Sequence, residues 1–283
     1  MSATTSIEPA PCVRVTDNGP VRVITLARSQ RHNALVPELI AGIRAAIRSV
    51  PTNPAIRAVV IAAEGANFST GGDVTEFAAR SGNERLDYAR EIVGGLNNMM
   101  LELIRLDVPV IAAVRGMVTG GSIGLVLASD VVLLDANATF APYYVDVGFS
   151  PDGGWTALLP DRIGQARAMS VQLSNSVIDA QEAVSWGLAT DIVPGDVTDA
   201  AVALAHTLAT KKTATIRRTK RLLWGDLTVV EARLGAELES FVDEIGTDDA
   251  TAGMDAFLEH RNPRSSETDG SPGSITGRSA REE

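Results

Sequence analysis

Apolar and polar residues alternate from Val13 to Ala27 on either side of Asp17-Asn18-Gly19-Pro20, where glycine supplies a positive φ and proline fixes its own. The pattern predicts two short strands joined by a turn. From Pro37 to Arg48 the residues Leu39, Ile40, Ile43, Ala46 and Ile47 recur at helical spacing, and Ala55 to Ala62 is a β-branched run of the kind found in buried strands. Tyr88 to Leu106 repeats the amphipathic pattern, Val108 to Val114 reads as a second buried strand, Ser122 to Ala128 as a short apolar helix and Asp130 to Leu134 as a third strand. Beyond Gly153-Gly154 the pattern turns helical. It predicts helices over Trp155 to Leu159, Gly164 to Gln172, Ala180 to Trp186 and Val197 to Ala209, then a long run from Thr213 to Leu258 that bends near Gly225 or Gly235.

The fold class expected is therefore α/β, with a helical C-terminal part and no linker between the two. The divisions expected are a flexible N-terminus over 1–12, a core over 13–195, a helical region over 196–263 and a tail over 264–283. That tail is Ser, Gly, Thr and charge with almost nothing to bury, which predicts disorder. With 283 residues, 45% of them hydrophobic and 21% charged, the rest of the chain can bury a sizeable core.

Charge and rare residues narrow the chemistry. Thirty-five Asp and Glu against 25 Lys and Arg leave a formal charge of −10, a field that repels phosphate backbones and anionic membranes. Nucleic acid and membrane are not expected partners. Cys12 is the one cysteine, so no intrachain disulfide or Cys-based zinc cluster can form, and a reducing, cytoplasmic compartment fits. No basic cluster precedes an apolar run near Met1, and no uninterrupted apolar stretch reaches the roughly 18 residues of a membrane span. His32, His206 and His260 are the three histidines and none stands four residues from another; metal-free chemistry is expected.

Two glycine pairs stand at β-to-α connections. Gly71-Gly72 follows Asn67-Phe68-Ser69-Thr70 just past one predicted strand, and Gly120-Gly121 follows another and precedes a short helix. Backbone N–H groups at such positions can approach a ligand closely, the second pair at the positive end of a helix dipole. Two converging N–H donors would make an oxyanion hole; tight turns are the alternative use, and neither segment carries a nucleotide-binding glycine motif. Gly120-Gly121-Ser122-Ile123-Gly124 also satisfies G-x-S-x-G, the elbow that presents a nucleophilic serine, although five residues separate it from the preceding strand.

Taken together, Phe68-Ser69-Thr70-Gly71-Gly72-Asp73-Val74, Pro109 to Gly116, Gly120-Gly121-Ser122, Ala128-Ser129-Asp130, Pro151-Asp152-Gly153-Gly154, Ala180-Gln181-Glu182-Ala183 and Gly253-Met254 with Phe257-Leu258 resemble the crotonase (enoyl-CoA hydratase/isomerase) superfamily over about Val13 to Arg261. The resemblance implies a crotonase-like spiral of ββα units with a helical C-terminal trimerisation region, a homotrimer or dimer of trimers, and an acyl-CoA substrate of lipid metabolism. No cofactor beyond the coenzyme A of the substrate is implied. Matching motif to motif assigns the oxyanion-hole N–H groups to Gly72 and Gly121, places Thr70, Gly71, Asp73 and Val74 around the substrate, and gives Arg31, His32 and Ala34 the segment that holds adenine. Lys220, or Lys211 and Lys212, would reach the nucleotide phosphates or lie on a solvated face.

The two glutamates of the resembling hydratases fall here on Gly124 and Tyr144, neither of which can activate water. Asp152 stands where similar isomerases carry a proton-shuttling carboxylate, and an apolar pocket would raise its pKa into the range of a useful base; an N-cap is its structural alternative. Asp146 is expected to be solvated, Tyr143 and Tyr144 to line the pocket and Trp155 to lie in the core. The resemblance thus implies an enoyl-CoA isomerase with Asp152 as acid and base. Its alternatives are a thioester hydrolase using Asp152 as nucleophile and a non-catalytic acyl-CoA-binding protein; dehalogenation is disfavoured because Asn97 and Tyr144 replace a histidine and a tryptophan.

Overall fold

A computed structural model describes residues 12–261. The expected tail, and all of the expected flexible N-terminus but Cys12, lie outside them. Strands β1 (Val13–Asn18) and β2 (Val21–Leu26) form the antiparallel hairpin, with Gly19 at φ 57° in its turn. Helix α1 (Pro37–Arg48) returns the chain to β3 (Ala58–Ala63), which pairs in parallel with β2. Helices α2 (Val74–Ala78) and α3 (Gly82–Arg105) then lead to β4 (Val110–Val114) and β5 (Met117–Thr119). A 3₁₀ turn over Gly120–Ser122 opens helix α4 (Ile123–Leu127), followed by β6 (Val131–Leu134), β7 (Thr139–Ala141) and the short helix α5 (Tyr144–Val147). Helices α6 (Leu159–Ile163) and α7 (Gln165–Ser174), strand β8 (Ile178–Asp179), helix α8 (Ala180–Trp186) and strand β9 (Asp191–Ile192) complete the α/β part.

The main sheet runs β1-β2-β3-β4-β6-β9, parallel except for the hairpin, and a second sheet runs β5-β7-β8. From β4 onward the chain gives one strand to each sheet in turn: β4 then β5, β6 then β7, β8 then β9. The uniform apolar run in β3 follows from burial on both faces. Val59 and Ile61 face the large core shared with α1 and α3, whereas Ala58, Val60 and Ala62 face Val197, Ala201 and Ala205 of α9 (Val197–Ala209).

Helices α10 (Thr213–Trp224), α11 (Leu227–Ile245) and α12 (Asp248–Arg261) replace the single long run expected from Thr213. The chain breaks at Gly225, which takes φ 66°, and Asp226 caps α11 by accepting the Thr228 N–H at 2.9 Å; Gly235 stays helical. No helix forms over Trp155 to Leu158, which instead fold as successive turns after Gly153 (φ 67°) and Gly154 (φ 91°). Strands β5, β7, β8 and β9, at two or three residues each, are too short to show a period in the sequence. Among the described residues no helix is long and apolar enough to cross a membrane.

Lys220 corrects an expectation. It does not lie on a solvated face: it is buried, with Nζ 2.8 Å from Asp130 Oδ2 and within hydrogen-bond distance of the Leu103 and Val108 carbonyl oxygens at 3.2 and 3.3 Å. Asp130 Oδ2 also accepts the Val110 N–H, so this pair ties α10 to the edge of β4. Truncating Lys220 leaves Asp130, whose side chain is 18% exposed, without its cation. Lys220→Ala is expected to lower stability by about 3–5 kcal/mol, read as the shift of the urea-unfolding midpoint at unchanged slope.

Candidate functional site

The site begins where three loops are stitched together. The Leu35 N–H donates to Gly71 O at 2.7 Å and the Asp73 N–H donates to Leu35 O at 3.2 Å, a parallel bridge in which the intervening Gly72 turns its own N–H away from Leu35. Ser69 bridges Val118 in the same way, donating to Met117 O and accepting from the Thr119 N–H. Two buried hydroxyls complete the seam: Ser69 Oγ donates to Asn33 O at 2.7 Å, and Ser122 Oγ lies 2.7 Å from Thr119 O and 3.0 Å from Ser69 O. Gly71 takes φ 74°, and a Cβ there would stand 2.7 Å from Thr119 O, so the two glycine pairs lie side by side because neither has a side chain. Gly121 occupies the first turn before α4, where N–H groups lack an acceptor within the helix. Among the turn and loop hydrogen bonds of the described residues, none uses the N–H of Gly72 or Gly121, and both glycines line one cavity.

Asp152 meets that cavity from the other side. The residue is 5% exposed and its carboxylate packs on the Gly121 backbone: a Cβ at Gly121 would lie 2.8 Å from Asp152 Oδ2 and 2.9 Å from a Leu96 methyl. Tyr144, at the start of α5, donates from its phenol to Asp152 Oδ1 at 2.5 Å. Ahead of it Tyr143 is held at φ 60° by the bond from its N–H to Asn175 Oδ1 at 2.8 Å, an arrangement that turns α5 toward Asp152. Burial pushes the Asp152 carboxyl up to about 7 against the pull of the Tyr144 hydrogen bond, and the negative charge of Glu237 adds to the rise. Burial, then the Asp152 charge, raises the Tyr144 phenol well above its ordinary value, so it stays a donor. Asp152 caps no helix, since turns follow it and α6 starts only at Leu159.

The cavity over Asp152 has a volume of about 80 Å³ and is walled by Phe77, Phe149 and Phe241, whose ring centroids stand 5.6–6.0 Å apart. Thr70, Gly72, Val74 and Tyr143 are shared with an outer cavity of about 420 Å³ lined by Arg31, His32, Ala34 and Asp73. The two cavities adjoin across these shared walls, which sets Asp152, Gly121, Tyr144 and Gly71 on one side and Arg31, His32 and Ala34 on the other. Asp73 borders the outer cavity, but its carboxylate is held by Arg28 and Arg31, each at 3.2 Å. Burial alone would raise its pKa; Arg31 and then Arg28 hold it below the usual carboxylate range. Its part is therefore to fix the Arg28–Ala34 loop rather than to offer a free carboxylate.

The remaining candidates fall outside. Ser122 is buried with its hydroxyl spent on Ser69 and Thr119, which is incompatible with a nucleophile at an elbow. Asp146 is exposed and accepts from Asn175 Nδ2, Trp155 is buried with its indole N–H on Gly120 O at 2.8 Å, and Lys211 and Lys212 are exposed. Asn97 is buried and donates to Leu234 O. Three supports escaped the sequence reading: Asn33, which spans Arg28, Glu64 and Asn67; Arg28; and Glu237, 83 residues beyond the Gly154 N–H it accepts. Asn33 carried a faint signal, because asparagine tolerates the left-handed region it occupies at φ 54°.

Two expectations follow from this geometry. The folded state holds the Asp152 proton more tightly than the unfolded chain, so the associated stability is complete below about pH 4 and is lost as pH rises through about 7, a change on the order of 4 kcal/mol. Asp152→Asn, which never carries the charge, should therefore unfold at a higher temperature than the parent at about pH 8, with the gap closing toward pH 4 in paired calorimetric scans. Ser122→Ala should cost about 1–3 kcal/mol of stability through the loss of the one buried O–H donor shared by Thr119 O and Ser69 O, yet leave a fluorophosphonate with nothing to label, whereas Gly121→Ala should abolish any turnover by driving a methyl into Asp152.

Comparison with known proteins agrees with the architecture. The family model described as enoyl-CoA hydratase/isomerase matches residues 16–268. The 1,2-epoxyphenylacetyl-CoA isomerase of Escherichia coli is 28% identical over 246 residues, covering 86% of this chain and 94% of that protein. The 2,3-dehydroadipyl-CoA hydratase of the same organism is 30% identical over 245 residues, with 86% and 94% covered. A crystal structure of an enoyl-CoA hydratase/isomerase from Mycobacterium paratuberculosis superposes with a TM-score of 0.81 at 28% identity, covering 88% of this chain and all of that one. Two sheets fed turn by turn, paired glycine loops and a helical C-terminal region are thus the crotonase fold, and the chain belongs to the enoyl-CoA hydratase/isomerase family.

Proposed function

We propose that this enzyme moves a carbon–carbon double bond of an enoyl-CoA from the 3- to the 2-position. The observation that carries the reading is that, among the described residues lining the inner cavity, Asp152 supplies the one carboxylate. Hydration in the resembling enzymes uses two acids, and the positions that match them here hold Gly124 and Tyr144. A Cβ on Gly124 would stand 2.6 Å from Met100 Sδ and 3.2 Å from Gly153 O, so a second acid there would require the Met100 side chain to repack. One carboxylate suffices for isomerisation. Asp152 takes a proton from C2, the Gly72 and Gly121 N–H groups hold the oxygen of the resulting dienolate, and the protonated Asp152 returns the proton at C4, so that atoms and electrons balance with no co-reactant. A carboxyl group with a pKa of about 7 is populated in both forms near neutrality, as a shuttle requires.

The rest of the reading follows the same line. Arg31, His32, Ala34, Thr70 and Val74 take the nucleotide and pantetheine end of coenzyme A along the outer cavity, and the aromatic walls take the acyl group. No further cofactor enters. The assembly is a homotrimer or a pair of trimers in the cytoplasm, working in lipid metabolism.

With a 3-enoyl-CoA as substrate, kcat/KM should rise with pH through a midpoint near 7 as Asp152 loses its proton. Asp152→Asn should reduce kcat about 10²–10⁴-fold while CoA-ester affinity changes less than about tenfold. Conjugation followed by ultraviolet absorbance and free thiol followed in parallel would separate the alternatives. Release of CoA without a bond shift would favour the hydrolase, and neither signal with ester binding intact would favour a binding protein.

A further inference from the structure

Helix α11 sends a second buried carboxylate toward the site without touching the cavity. Glu237 is 4% exposed and accepts four hydrogen bonds. The Gly154 N–H donates to Oε2 at 2.8 Å; the Thr156 N–H, the Thr156 hydroxyl and the Ala157 N–H donate to Oε1 at 2.8, 2.7 and 2.9 Å. All four donors belong to the turns that directly follow Asp152. These turns lie where the sequence pattern asks for a helix, and three of their N–H groups, those of Gly154, Thr156 and Ala157, point at a side chain from the C-terminal region, while those of Trp155 and Leu158 go to Asp152 O and Gly154 O.

This arrangement fixes more than a loop. Gly153 packs so closely that a Cβ on it would stand 2.4 Å from Gly121 O, so the height of the 153–157 turns sets how the Asp152 carboxylate meets Gly121. One turn further along α11, Phe241 forms part of the inner cavity wall. We propose that Glu237 is a positioning residue for the reaction: from α11 it anchors the 154–157 turns, and through them it holds the Asp152 carboxylate against Gly121 and under the charge of a neighbouring buried anion. The proposal rests on the reading of Asp152 as the base.

Glutamate is required by the count of donors. Glutamine would present one oxygen and one NH₂ group to a ring of four donors, so one side of the contact would become donor against donor. The charged or titratable groups that face Asp152 are the Tyr144 phenol from α5 and Glu237 from α11. Removing the Glu237 charge leaves the phenol, whose hydrogen bond favours the ionised carboxylate, so Asp152 should ionise at lower pH.

The test uses the full-length protein and the exchange of α-protons of a saturated acyl-CoA with deuterium, read by mass spectrometry. That signal needs the base and the two N–H donors but no double-bond shift. Glu237→Gln is expected to slow exchange at least tenfold, to change KM for the thioester less than threefold and to move the midpoint of the pH profile below that of the parent. A purely structural role would lower the melting temperature and leave that midpoint in place. Exchange by the folded Gln variant at the parental rate and midpoint would overturn the proposal alone; absence of exchange in the parent would overturn it together with the reading of Asp152. Thr156→Val removes one of the four donors and keeps the charge. It should slow exchange a few-fold with the midpoint unmoved, and an unaltered rate in that variant would overturn the proposal even where Glu237→Gln fails to fold.

Discussion

The site depends on one close approach, that of the Asp152–Gly153 backbone to Gly121. A Cβ at Gly121 would collide with the Asp152 carboxylate, and one at Gly153 would stand 2.4 Å from Gly121 O. Only a pair of glycines lets a carboxylate share van der Waals contact with the turn that carries the Gly121 N–H. The rest of the architecture serves that contact. The seam of Asn33, Ser69 and Ser122 brings the first glycine pair beside the second, Trp155 holds Gly120 by its carbonyl, and Tyr144 sets the direction of the Asp152 carboxylate.

Electrostatically the site pairs a carboxylate short of donors with one rich in them. Asp152 has the Tyr144 phenol and apolar walls, and burial pushes its carboxyl up to about 7. Glu237 is as deeply buried, and burial raises it too, but four donors act in the opposite sense. Two carboxylates in one interior thereby acquire different chemistry from their surroundings. Asp73 is a third case, in which two arginines outweigh burial and hold the group ionised as a fixed strut. None of these roles follows from residue type; each follows from what reaches the carboxylate.

The sheets supply rigidity where it is needed. Strands β3 and β4 are buried on both faces, between α9 on one side and the core of α1 and α3 on the other, and the loops that carry the glycine pairs leave from the C-terminal ends of β3 and, by way of β5, β4. A close-packed interior transmits little slack, so loops rooted there can hold two N–H groups in fixed relation.

The sequence by itself determined the elements long enough to show a period: the hairpin, α1, α3, the double-sided strands, α8 and α9. It also marked Gly71-Gly72, Gly120-Gly121 and Asp152 as candidates, because motifs of fixed spacing show where side chains are missing and where a carboxylate stands between a proline and two glycines. Tertiary structure decided the rest. Trp155 to Leu158 have a helical pattern but turn instead: Glu237, some 80 residues on, accepts the Gly154, Thr156 and Ala157 N–H groups, and only the Trp155 and Leu158 N–H groups return to carbonyls of the segment. Lys220 has the charge of a surface residue but is drawn inside by Asp130. Ser122 sits in a nucleophile motif, yet two carbonyl oxygens claim its hydroxyl. In each case the deciding partner lies far away in the chain, and periodicity and spacing describe only neighbours.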